Sequence, residues 1–243
     1  MVHVLAALEQ LLLPNACVAC DRLSPPSGPD ALVCSRCRSR LTPLTGGCPR
    51  CHQPLPLIGG CRFCRAWPAE LRWVRSGVWL GGEAREIVHH LKYDGYTPLA
   101  RVMADMIVHA VPVPTASVLV PIPLTPSRRK HRGFNQATLL ARALGTRWGV
   151  PVGERLLTRL RERGSQTALT PEERLANVTG VFAAAAPPHA GAGQAHAEVV
   201  IVDDVLTTGA TLAAAAAALT GAGWRQLGAV TFARALPYEQ RVG

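Results

Sequence analysis

An α/β fold with a mainly parallel sheet flanked by helices, preceded by a small cysteine-rich metal-binding region, is what this sequence predicts. Three observations lead there. All 8 cysteines fall between positions 17 and 64, in Cys-x-x-Cys pairs. Val199-Val-Ile-Val is a continuous β-branched run of the kind found in strands buried on both faces. An alanine-rich helix and a further apolar strand follow it, which makes a right-handed βαβ unit. At 243 residues, against a prior of roughly 150 per domain, one main domain with an appendage is expected. The boundary is placed between residues 1–70 and 71–243.

Composition narrows the class. A hydrophobic fraction of 48% with 17% charged residues supplies a core and excludes a mainly disordered chain. No apolar run reaches the ~18 residues a spanning helix needs. The apolar stretch 4–13 is interrupted by Glu9 and Gln10, so no membrane insertion and no signal peptide is read. A cytoplasmic location is expected. The net charge is +10, yet residues 181–243 hold 3 basic and 4 acidic side chains, so the excess lies upstream. Lys92 and Lys130 are the only lysines. The positive charge is therefore mostly guanidinium, which grips phosphate bidentately. That balance suits a diphosphate or a nucleic acid, and equally a plainly solvated surface.

The cysteines pair as Cys17/Cys20, Cys34/Cys37, Cys48/Cys51 and Cys61/Cys64. Each knuckle points two thiolates at one ion, and two knuckles complete a tetrahedral site. Two structural zinc ions are expected, with all four positions of each filled by protein. Sequential pairing (first knuckle with second, third with fourth) keeps the loops short; a crossed pairing (first with third) stays open. Pro and Gly crowd the intervening residues, so metal must replace missing apolar burial.

Downstream, strands are read at 73–80, 118–123, 199–202 and 227–233, and helices near 83–91, 98–111, 134–148 and 210–219. Residues 121–132 are read as a strand end and basic loop, and 183–197 as a connection. The chemistry concentrates after the buried strand. Asp203 and Asp204 arrive at its C-terminal end, where open α/β sheets bind ligands. Thr207, Thr208, Gly209, Ala210 and Thr211 then lead into a helix N-terminus, an anion cradle of amides and hydroxyls. Gly209 is expected to let the backbone approach a phosphate with no Cβ in the way. Two acids beside such a cradle must address something other than the anion: sugar hydroxyls or a bridging metal ion.

This segment resembles the phosphoribosyl diphosphate (PRPP) signature of type I phosphoribosyltransferases. Pro121-Ile-Pro-Leu with Arg128 and Arg132-Gly-Phe-Asn-Gln136 is similar to the ComF family, as are Leu91-Lys-Tyr-Asp-Gly95, 159–166 and Glu173-Arg-Leu-Ala-Asn177. With the cysteine-rich beginning, the resemblance covers essentially the whole chain. It implies the type I phosphoribosyltransferase fold with a hood and a flexible loop, and phosphoribosyl transfer from PRPP, with Mg²⁺, to an unidentified acceptor. Asp203 and Asp204 would meet the ribose hydroxyls and serve catalysis, and Thr207–Thr211 would hold the 5-phosphate. Arg128 and Arg132 would lie near the pyrophosphate, with Lys92, Asn135, Gln136, Arg161 and Gln166 as further members of the site. His89, His90 and His131 are read as structural.

The resemblance also implies a link to competence and DNA uptake, with single-stranded DNA and a competence DNA helicase as partners. On the DNA-binding alternative, the PRPP site is regulatory or vestigial. Arg36, Arg38, Arg40, Arg50, Arg62, Arg65, Arg72 and Arg75 would then contact backbone, with Trp67 and Trp73 as stacking platforms. The competing reading has both tryptophans packing the finger onto the main domain.

Overall fold

The computed structural model describes residues 15–55, 60–160, 180–187 and 198–235. Arg161, Gln166 and the segment Glu173–Asn177 lie outside the described residues. A short helix α1 (Ser35–Ser39) sits within the cysteine-rich region. The order then runs β1 (Leu71–Trp79), α2 (Gly82–Tyr93), α3 (Leu99–Ala110), β2 (Ala116–Pro121), α4 (Pro126–Arg132), α5 (Gln136–Trp148), β3 (Leu157–Arg159), β4 (Phe182–Ala184), β5 (Glu198–Leu206), α6 (Ala210–Gly221) and β6 (Gln226–Arg234).

The main sheet has the strand order β1-β6-β5-β2, and each neighbouring pair is parallel. β3 and β4 form a separate antiparallel pair. Val199, Val200, Ile201 and Val202 are fully buried, as are Leu227, Ala229, Val230 and Phe232 on β6, so both faces of the central strands are covered. A β-branched run tolerates that position because its stiff side chains fit the pleat. α6 can press close to the sheet because Ala213, Ala214, Ala215 and Ala216 form its buried side with Leu212 and Leu219. α2 buries Ala84, Ile87, Val88 and Leu91, the i, i+3, i+4, i+7 spacing of an amphipathic helix.

One expectation needs correction. The basic stretch read as a loop contains the helix α4, although none of its residues is buried. Local chemistry explains it. The Thr125 side chain caps the first turn by accepting from the Arg128 N–H, Pro126 begins the helix, and Gly133 ends it at φ +75. Arg129, Lys130, His131 and Arg132 occupy its last turn, the end the helix dipole favours for cations.

The cysteine-rich region shares its core with the sheet. Cys17, Val33, Cys37 and Leu41 pack in one cluster with Val78, Ile87 and Leu91. Cys48, Cys51, Cys64 and Trp67 pack in another with Leu71, Val74 and Leu212. Two arginines fasten the second of these junctions. Arg50 donates to the carbonyls of Leu71, Cys64 and Trp67. Arg234, fully buried at the end of β6, donates to the Cys51 carbonyl and to Gln53 Oε1, with its guanidinium 4.2 Å from the Phe63 ring centroid.

Replacing Arg234 therefore acts on both parts at once. Arg234→Met is expected to cost about 1–3 kcal/mol for each buried acceptor left unpaired. Urea denaturation checks this, and an unchanged midpoint would show that the junction does not depend on the guanidinium.

Candidate functional site

The two carboxylates follow directly from the strand that carries them. β5 is buried through Val202, so Asp203 and Asp204 emerge where its apolar run stops. Asp204 is buried and Asp203 half-buried. Asp203 Oδ1 accepts from the Asp204 N–H at 2.9 Å, and Asp204 Oδ1 accepts from the Val205 N–H at 2.9 Å. Lys92, one residue past the buried Leu91 on α2, reaches across to place Nζ 2.6 Å from Asp204 Oδ2. Burial, followed by the neighbouring Asp204 charge, pushes the Asp203 carboxyl well above the ordinary carboxylate range; its backbone hydrogen bond and Lys92 oppose the shift.

Both acids open into a cavity of about 620 Å³. Lys92, Arg128, Arg132, Asn135, Gln136 and Thr211 share its lining with them. The sequence-selected residues from α2, α4, α5, β5 and the start of α6 are thus brought together. Thr207, Thr208, Gly209 and Ala210 stand outside the lining. Asn135 organises one wall: its side chain accepts from the Ala137 N–H at 3.1 Å and donates to the Ile122 carbonyl at 3.0 Å. Gln136 Oε1 is buried with no partner among the described residues, an acceptor open to a donor arriving in the cavity.

Sequence reasoning missed part of the lining. His131, read as structural, faces the cavity, and Tyr93, Thr125 and Arg159 join it. Tyr93 could have been found from its place beside Lys92 at the helix end; it is 63% exposed, with the Arg132 guanidinium 5.1 Å from its ring centroid.

The reason expected for Gly209 also changes. Its φ is +77, and the space a Cβ would take is filled by Trp67, whose Cζ2 would lie 2.3 Å away. The glycine accommodates an indole from the cysteine-rich region rather than an open approach for phosphate. Trp73 likewise packs on Gly228 and donates to Glu198 Oε1 at 2.7 Å. Neither tryptophan is a stacking platform. Several of the finger arginines are engaged as well: Arg38 with Val33 O, Arg40 with Glu83, Arg50 and Arg75 with backbone carbonyls.

The cysteines form two sequential tetrads, Cys17/Cys20/Cys34/Cys37 and Cys48/Cys51/Cys61/Cys64, with the four sulfurs of each within 4.8 Å of one another. Sulfur pairs approach to 3.9, 3.7 and 3.6 Å. Tetrahedral zinc at ~2.3 Å from each thiolate sets sulfurs about 3.8 Å apart. Both tetrads fit that ion, and the crossed pairing is excluded. Burial pushes the Cys37 and Cys64 thiols up, whereas the Cys37 N–H lowers Cys34 to about 7.

Fold and cavity define a phosphoribosyltransferase domain, and a model of the "Phosphoribosyl transferase domain" matches residues 131–242. The chain is 32% identical over 211 residues to competence protein ComFC of Bacillus subtilis (strain 168), covering 79% of each. It is 28% identical over 193 residues to the DNA utilization protein YhgH of Salmonella typhi, covering 74% of this chain and 81% of that one. Competence protein F of Haemophilus influenzae matches at 32% over 104 residues, 43% of each chain. This chain belongs to the ComF family of phosphoribosyltransferase-like proteins.

Two outcomes follow. Elemental analysis should find two zinc ions per chain, and one or none would refute the tetrad assignment. For Asp203, the folded state holds a proton that the unfolded chain releases between the ordinary carboxylate range and the raised value, so stability falls as pH rises through that window. Asp203→Asn should therefore melt higher than the parent at neutral pH, with the gain shrinking on acidification. A pH-independent difference would contradict the shift.

Proposed function

We propose that this protein binds PRPP with Mg²⁺ in the cavity at the end of β5 and transfers its phosphoribosyl group to an acceptor. The observation carrying this reading is the meeting of two adjacent carboxylates, Thr211 and the cations Lys92, Arg128 and Arg132 around one cavity. A ligand with vicinal hydroxyls between two anionic ends matches that pattern. Asp203 and Asp204 accept from the ribose hydroxyls, the loop Thr207–Thr211 takes the 5-phosphate, and Arg128 and Arg132 take the diphosphate. Asp203 and Asp204 are also the carboxylates of the lining able to hold Mg²⁺, which would neutralise diphosphate charge when bound.

Transfer breaks the bond between the anomeric carbon and the diphosphate oxygen, and diphosphate leaves with the electron pair. A bond forms from an acceptor nitrogen, which then loses its proton. Positive charge grows on the ribose ring in between, beside the two aspartates, while Arg128 and Arg132 meet the negative charge growing on the leaving group. Orientation of the two reactants supplies the rest.

The relatives named for competence and DNA utilization support a role in DNA handling; a cytoplasmic location and a competence helicase as partner are part of the proposal. A second reading, single-stranded DNA binding with a regulatory PRPP site, is favoured by one feature. Tyr93 and Tyr96 are exposed at 63% and 47%; Tyr93 lines the cavity with Arg128 and His131, and the exposed row Arg128, Arg129, Lys130 and His131 makes no ion pair among the described residues. Exposed aromatics next to unpaired cations suit bases and phosphates, a better surface than the engaged finger arginines.

Calorimetry separates the two. Asp204→Asn should lose about 1.5–3 kcal/mol of PRPP affinity, the range for a hydrogen bond to a charged group. Unchanged affinity would remove the acids from the ligand. DNA binding through α4 should weaken steeply with salt and with Tyr93→Ala, whereas PRPP binding should require Mg²⁺.

A further inference from the structure

We propose that Trp67 is a positioning residue for the loop Thr207–Thr211, setting ligand affinity from the cysteine-rich region without touching the ligand. This rests on the reading above that the loop holds the 5-phosphate.

The geometry is specific. Trp67 is 6% exposed and stands outside the cavity lining. Its ring fills the side of Gly209 where any other residue would carry a side chain: a Cβ there would lie 2.3, 2.8 and 3.0 Å from Cζ2, Cε2 and Nε1. Gly209 is the residue before α6, at φ +77, and its carbonyl accepts the first helical hydrogen bond from the Ala213 N–H at 2.9 Å. The indole therefore bears on the hinge between the strand-end acids and the helix that carries Thr211. Thr207 and Thr208 are exposed, and the Thr208 hydroxyl makes only a long contact, accepting from the Ala210 N–H at 3.4 Å.

Trp67 is itself held firmly. Its backbone N–H donates to the Cys64 carbonyl at 3.2 Å, and Phe63 meets its ring edge-on at 5.4 Å. Arg50 donates to the carbonyls of both Cys64 and Trp67, at 2.9 and 3.3 Å. The support thus runs from the second cysteine tetrad through Cys64 to Trp67 and on to Gly209. A large, rigid aromatic wedged against a left-handed glycine restricts the loop to one backbone course. That preorganises the loop for binding.

The test compares Trp67→Ala and Trp67→Phe with the parent, by zinc content, PRPP titration with Mg²⁺ and amide hydrogen exchange at Thr207–Thr211. Trp67→Ala should keep its zinc, bind PRPP at least tenfold more weakly and exchange the loop amides faster. Trp67→Phe should recover most of both losses. A lower melting temperature with affinity and loop protection unchanged would overturn the proposal and leave Trp67 as packing alone. Should the alanine variant not fold, Trp67→Phe and Gly209→Ala are combined. The proposal expects the glycine change to cost less affinity in the phenylalanine background, and additive effects would overturn it. If the parent does not bind PRPP, the phosphoribosyl reading fails separately. Loop exchange in Trp67→Ala then decides this inference, with parent-like protection overturning it.

Discussion

Two carboxylates side by side at the end of a buried strand are the constraint around which this molecule is arranged. Like charges that close, partly withdrawn from water, repel each other strongly. Part of that cost is met inside the protein. Backbone N–H groups bond one oxygen of each acid, and Lys92 pairs with Asp204 at 2.6 Å. Asp203 makes no ion pair among the described residues, and its carboxyl is held well above the usual range by burial and by Asp204. An arrangement that lowers stability in this way is characteristic of sites kept for a ligand. The wall of cations on α4 completes the polarity: acids at the strand end, guanidinium groups across the cavity.

The cysteine-rich region belongs to the same structure rather than hanging from it. Its buried residues join the two clusters that cover the sheet. Half-buried Arg50 and fully buried Arg234 tie this region to β1 and β6 beside the second tetrad, Arg50 through the Leu71 carbonyl and Arg234 through the Cys51 carbonyl. Trp67 then carries this packing to the loop after β5. The second cysteine tetrad and the loop after β5 are thereby joined by continuous packing.

Much of this was legible in the sequence because it is local. The β-branched run of β5, the alanine-rich α6 and the Cys-x-x-Cys spacing each encode their own structure within a few residues. The sequential tetrads required only short loops. What was not legible depends on distant segments meeting. Helix α4 buries nothing, so apolar periodicity could not reveal it, although Thr125-Pro126 and Gly133 were the signals of its ends. The filling of Gly209 by Trp67 joins positions far apart in sequence, and the glycine alone was consistent with a phosphate approach. The engagement of Arg38, Arg40, Arg50 and Arg75 was hidden likewise, since an arginine count does not distinguish a free guanidinium from one spent on carbonyls. His131 and Tyr93 entered the cavity lining through the turn geometry of α4 and α2.

The central claim, that Asp203 and Asp204 are strained in the free protein because they await a hydroxyl-bearing, metal-carrying ligand, is open to direct titration. Carboxyl carbon shifts of both residues, followed by NMR across pH with and without Mg²⁺ and PRPP, report their ionisation. The account predicts an elevated Asp203 midpoint in the free protein that falls when ligand hydroxyls and metal favour the charged form. An Asp203 midpoint in the ordinary carboxylate range, unmoved by Mg²⁺ and PRPP, would contradict it.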